Sequence, residues 1–180
     1  MWTYEKKLQY PVKIKNPDPQ AAQIIISQLG GPDGELAASM RYLHQRYSMP
    51  DKKVVGLLTD IGTEELAHLE IIAAILYQLT RNLKEEDIAG TPFATYFVDH
   101  TTGLYPVAAS GVPFDMKYVG IKGDVIADLN EDLAADATIT KEQSLSKSAK
   151  KPCKIRIFRT SANRLKIAIL LSHKSNNRYF

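Results

Sequence analysis

Residues 51–81 read DKKVVGLLTDIGTEELAHLEIIAAILYQLTR. Taking Ile61, Glu65, His68, Ile72, Ile75 and Leu79 in turn, the steps are four, three, four, three, four. That spacing keeps all six side chains on one face of an α-helix, and it predicts a long helix over about Asp51–Arg81. Two ionisable groups stand in the middle of an otherwise apolar stripe. An unpaired Glu or His in such a place would be costly to bury, so the stripe calls for a partner chemistry.

Working outward, three more helices are expected. Asn16-Pro17-Asp18-Pro19 closes an extended N-terminal segment, since a residue before proline avoids the helical region. An apolar helix over about Gln20–Leu29 follows and stops at the breaker cluster Gly30-Gly31-Pro32. Asp33 is the expected N-cap of a helix over about Gly34–Tyr47. Residues 87–122 are enriched in glycine, proline and aromatic residues and read as a long crossover loop. The last expected helix opens near Asp124, with the stripe Ile126, Leu129, Leu133 and Asp136 beside an acidic ridge of Asp128 and Asp132.

These elements predict an all-α fold, a ferritin-like four-helix bundle over residues 20–140 whose fourth helix is missing or replaced. Glu65-x-x-His68 places a carboxylate and an imidazole within reach of one ion. In metal-carrying bundles of this class such a pair combines with a Glu from a neighbouring helix, and Glu35 is the candidate. Tyr42, seven residues on, lies on roughly the same face and is either a hydrogen-bond partner to an inward group or ordinary core. Asp136 is the inward acid of the last helix. Carboxylates with a histidine suit manganese or iron, whereas zinc or cuprous sites favour thiolates. His44 and His100 lack such a context and read as surface or loop residues.

Composition excludes several classes. The chain of 180 residues is 44% hydrophobic and 24% charged, the profile of a globular protein. The longest apolar run, Ile71–Tyr77, is far too short for a membrane span, and the first residues lack the apolar core of a signal peptide. One cysteine, Cys153, excludes an internal disulfide framework. The net charge of +3 conceals a division: residues 1–136 carry 12 Lys and Arg against 19 Asp and Glu, while residues 137–180 carry 11 against the single acid Glu142. An acidic bundle domain, 1–140, and a basic tail, 141–180, are therefore expected.

Several long strings carry a family resemblance. Trp2-Thr3-Tyr4-Glu5-Lys6-Lys7-Leu8-Gln9-Tyr10-Pro11-Val12, Gly30-Gly31-Pro32-Asp33-Gly34-Glu35-Leu36-Ala37-Ala38 and Leu58 through Glu70 resemble the spore-coat branch of the manganese catalases, the coat protein JC type. Ala109–Phe114 and Gly123–Ala135 fit the same family, so the resemblance covers about residues 1–136. It implies a ferritin-like bundle holding two manganese ions that turns hydrogen peroxide into water and oxygen, peroxide binding across the metals. It implies Glu35, Glu65 and His68 as metal ligands, Glu65 bridging the ions, and Tyr42 just behind them; Glu65 and Tyr42 are the residues expected to act in catalysis. It further implies location in the spore coat, assembled from the mother-cell cytoplasm, with other coat proteins as partners and a homo-oligomeric state.

After Ala134-Ala135 the chain departs from the family. Asp136 stands where the family has a ligand glutamate, one methylene shorter, and no second Glu-x-x-His follows; the only later histidine, His173, has Leu170 three positions before it. Lys150–Arg159 is instead basic with a strand-like alternation. A reading-frame shift or truncated gene, or a basic appendage binding anionic polymer or coat partners, would each explain the tail. Nucleic-acid binding is disfavoured by its few aromatic residues and lack of a recognised motif. The missing helix predicts apolar surface left exposed on the stripes. Two further functional readings stand beside the catalase: a structural coat component without catalysis, and a di-iron oxidase or iron-storage protein on the same fold.

Overall fold

The structure is a computed structural model, and it describes residues 5, 7–32, 34–90, 94, 108, 110, 112 and 114–135. The regular structure among the described residues is helical, with no strand. Helix α1 spans Pro19–Gly30, α2 Glu35–Gln45 and α3 Lys52–Thr80. A single turn, α4, covers Glu85–Ile88, and residues 125–135 are helical and called α5. No helix among them is long and apolar enough to cross a membrane.

Local chemistry accounts for the boundaries. Asp18 caps α1, its side chain accepting from the Ala21 N–H at 3.0 Å, and Pro19 sits at the first helical position where its missing N–H costs nothing. Asp51 caps α3 by accepting from the Lys53 N–H at 2.7 Å. Past the end of α3 the chain reverses through Asn82, at φ 62°, a residue type tolerant of the left-handed region. The cap of α2 corrects the sequence reading. Gly34, not Asp33, holds the N-cap position, and Asp33 lies outside the described residues. A Cβ on Gly34 would stand 2.8 Å from the Ser27 carbonyl oxygen and 2.9 Å from that of Gln28, so the joint between α1 and α2 closes only on glycine. Helix α2 also ends at Gln45, with a 3₁₀ turn over Arg46–Ser48 completing the expected span.

Helix α3 is the backbone of the assembly. Helix α1 packs on its second half: Ala22, Ile25 and Ile26 bury with Ile71, Ile72, Ile75, Leu76, Leu79 and Ile88. Helix α2 packs on its first half: Ala38 and Tyr42 bury with Val54, Leu58, Ile61 and Leu129 of α5. The α3 stripe is therefore covered rather than exposed, with Ile61 and Ile72 at 0% and Leu79 at 7% exposure. This overturns the expected exposed stripe on α3, because α1 and α2 lie successively along the one long helix and cover it end to end.

The N-terminal segment is extended, as expected, and is tied to the far end of α3. The Gln78 amide accepts from the Ile14 N–H at 2.7 Å and donates to the Val12 carbonyl at 2.9 Å. Arg81 donates to the carbonyls of Ile14 and Lys15, and the Asp18 N–H donates to the Leu79 carbonyl.

Opposite this strap, α2 holds the loop that leads into α5. Arg41 donates to the Tyr118 carbonyl at 3.3 Å and Gln45 to the Gly120 carbonyl at 2.9 Å. Within the loop, the half-buried Asp115 accepts from the Lys117 backbone N–H and pairs with its ammonium, which lowers the Asp115 pKa and raises that of Lys117. The described part of 87–122 is loop, apart from the end of α4 and single 3₁₀ turns such as Met116–Tyr118.

The buried face of α5 differs from the expected stripe. Leu129 is fully buried, but Ile126 and Leu133 are half-buried, and Asp128 and Asp132 are wholly inside. The reason is local: Asp128 accepts from the N–H groups of Lys122 and Gly123 at 2.8 and 3.1 Å, which draws it inward to fold the turn at the helix start. Asp136, His100, His173 and the tail 137–180, including its strand-like part, lie outside the described residues.

Candidate metal centre

Glu35, Glu65 and His68 meet where α1 gives way to α2 against the middle of α3. They are 1%, 3% and 1% exposed. Glu35 occupies the first turn of α2, where the helix macrodipole favours negative charge. Glu65 and His68 stand three apart on α3, between the apolar cluster around Ile61 and that around Ile71.

The His68 ring is oriented by carboxylates. Its Nδ1 lies 2.6 Å from Glu65 Oε2 and 3.9 Å from Glu35 Oε2. The 2.6 Å contact fixes the plane of the ring against Glu65. One donor atom from each of the three residues lies within 4.8 Å of the others. A divalent ion with bonds of about 2.0–2.5 Å holds its ligand atoms within about 5 Å of one another, so the cluster fits a shared cation with little movement. Two carboxylates and an imidazole are also a donor set for manganese or iron.

The structure thus brings together three of the residues singled out from the sequence. Tyr42 is fully buried on the same side of α2, packed with Ile61 and Leu129. His44 is exposed, its Nδ1 bonded to the Met40 carbonyl at 2.7 Å, as its sequence context suggested. Sequence reasoning passed over Glu64, whose Oε1 is 4.0 Å from His68 Nε2. Its position four residues before His68 was the available signal, because such pairs are neighbours on a helix.

The family profile for manganese containing catalase matches residues 1–145. The chain belongs to the manganese catalase family. Among curated relatives it is 54% identical over 136 residues to the protein CotJC of Bacillus subtilis, covering 76% of this chain and 71% of that one. It is 37% identical over 140 residues to a probable manganese catalase of Clostridium acetobutylicum, of which it spans 61%. The structure of KatB, a manganese catalase from Anabaena, superposes with a TM-score of 0.70 at 22% identity, covering 99% of this chain and 77% of that one. That likeness establishes the fold, the ferritin-like helical bundle of the manganese catalases. Manganese is the metal of the family, and Glu35, Glu65 and His68 are the residues able to receive it among those described.

Proposed function

We propose that this manganese catalase family member is a spore-coat protein that binds manganese through Glu35, Glu65 and His68 and dismutates hydrogen peroxide. Two molecules of peroxide give two of water and one of oxygen, so no outside reductant is required. The observation that carries the reading is the buried convergence of those three donors, in a chain 54% identical to CotJC. Manganese, when bound, supplies the electron chemistry by changing oxidation state.

The protein's part is to hold and shield. Glu35 and Glu65 carry negative charge into a dry site, where it attracts a cation far more strongly than at the surface. His68, oriented by Glu65, presents Nδ1 toward both carboxylates. Tyr42 closes the α2 side of the site and keeps bulk water out. Residues 1–140 act as the bundle domain and 141–180 as a basic tail, and the protein works as a homo-oligomer among other coat proteins.

A structural coat role without turnover is the second reading, favoured by a specific observation. Three ligands suffice for one ion, and Asp136 stands where a longer glutamate would serve a second. Manganese content per chain, measured beside oxygen evolution from peroxide, separates the two. Two ions with turnover abolished by Glu65→Ala supports the catalase; turnover indifferent to Glu65→Ala removes it.

A further inference from the structure

The Glu64-Glu65 dipeptide places one carboxylate at each edge of the His68 ring. Glu65 meets Nδ1 at 2.6 Å, and Glu64 stands 4.0 Å from Nε2, on the turn below. The ring is 1% exposed, while Glu64 is 21% exposed at the rim of the site. A ring that gives its Nδ1 lone pair to a cation carries its proton on Nε2, the edge that Glu64 faces. From this geometry we infer that Glu64 is a positioning residue for the metal centre: it accepts the Nε2–H of His68 and so fixes the tautomer and tilt in which Nδ1 faces the ion.

The distance to be closed is small. Oε1 of Glu64 must approach by roughly 1 Å to reach hydrogen-bond range. Glu64 has the means to do so, because it sits at the rim rather than wedged in the core, and a residue four positions earlier lies directly along the helix face. A carboxylate behind a metal-bound imidazole also raises the basicity of the ligating nitrogen. Glu64 touches neither ion nor substrate; its effect passes through His68.

This inference rests on the proposed manganese site, and the experiment separates the two. Manganese(II) affinity is measured calorimetrically on the full chain and on Glu64→Leu, Glu64→Gln and Glu65→Ala, each checked for an unchanged helical spectrum. Glu64→Leu is expected to bind about 10–100-fold more weakly. Glu64→Gln, whose amide oxygen still accepts a hydrogen bond, is expected to recover most of that loss. Glu64→Leu binding as tightly as the parent, with Glu65→Ala losing the ion, overturns the role of Glu64 alone. Equal weakening by Gln and Leu overturns it too, since charge rather than orientation would then be at work. Glu65→Ala binding like the parent removes the site, and this inference with it.

Discussion

Ser39 Oγ donates a 2.7 Å hydrogen bond to the backbone carbonyl of Gly62, across the seam between α2 and α3. The bond is possible because α2 lies almost against the α3 backbone at that point. A Cβ on Gly62 would fall 2.8 Å from Leu43 Cγ and 3.2 Å from Tyr42 Cβ. Gly62 is one turn from Glu65, so the same close approach sets the distance between Glu35 on α2 and the Glu65/His68 pair on α3. Gly62→Val is expected to destabilise the protein by about 1–3 kcal/mol through overpacking and to weaken manganese binding at the same time. Denaturant unfolding checks the first part; a Val variant as stable as the parent would refute the tight seam.

Chelation offers a second check. An ion bound only by the folded state stabilises it by mass action, by about 2.7 kcal/mol when free ligand is 100 times the dissociation constant. Removing manganese with a chelator is therefore expected to lower the melting temperature by several degrees, and Glu35→Ala should melt at one temperature with or without the metal. A parent protein whose melting ignores the chelator would show that no ion is held.

Gln28 gives a prediction of opposite sign. Its side chain is 1% exposed, near the end of α1, and neither amide atom has a hydrogen-bond partner among the described residues. Leaving a buried polar group unmatched costs about 1–3 kcal/mol. Gln28→Leu, similar in volume and without the unmatched atoms, is expected to raise stability by about 1 kcal/mol. Thermal unfolding reads this directly, and a lowered melting point would mean the amide has work elsewhere.

Asp128 is expected to be as sensitive as a core residue. It is wholly buried and accepts both the Lys122 and Gly123 N–H groups, the latter at a glycine with φ 75°. Asp128→Ala strands two donors and should cost about 1–3 kcal/mol. Faster proteolytic cleavage within 115–123, compared with the parent, is the expected companion result.

Much of this was legible in the sequence, and the exceptions have physical causes. The α3 stripe from Ile61 to Leu79 announced itself because one long helix with a single buried face leaves an unbroken 3.6-residue rhythm. Glu65 and His68 could be found for the same reason, as ionisable residues out of place on an apolar face, and Glu35 followed as the Glu that such a pair takes from a neighbouring helix. Asp128 was misjudged because its burial serves two backbone N–H groups of a turn, and no periodicity reports what a turn needs. Gly34 was overlooked in favour of Asp33 because the requirement is steric, set by the Ser27 and Gln28 carbonyls arriving from the preceding helix. Asp136, read from the stripe of the last helix and from resemblance, and the 137–180 tail, read from composition and the end of that resemblance, lie outside the described residues.

The trio of Glu35, Glu65 and His68 also divides the interior. On one side lie the residues packed around Ile71 and Ile72, on the other those around Leu58 and Ile61. The separation along α3, from Ile61 to Ile71, is about 15 Å at 1.5 Å per residue. Each half has its own partner helix, and α3 alone runs through both. A cation gripped by α2 and α3 together would be a rivet at the division, tying the opening of one half to that of the other. Amide hydrogen exchange would register this as protection in α1 and α2 that rises in concert once manganese is present.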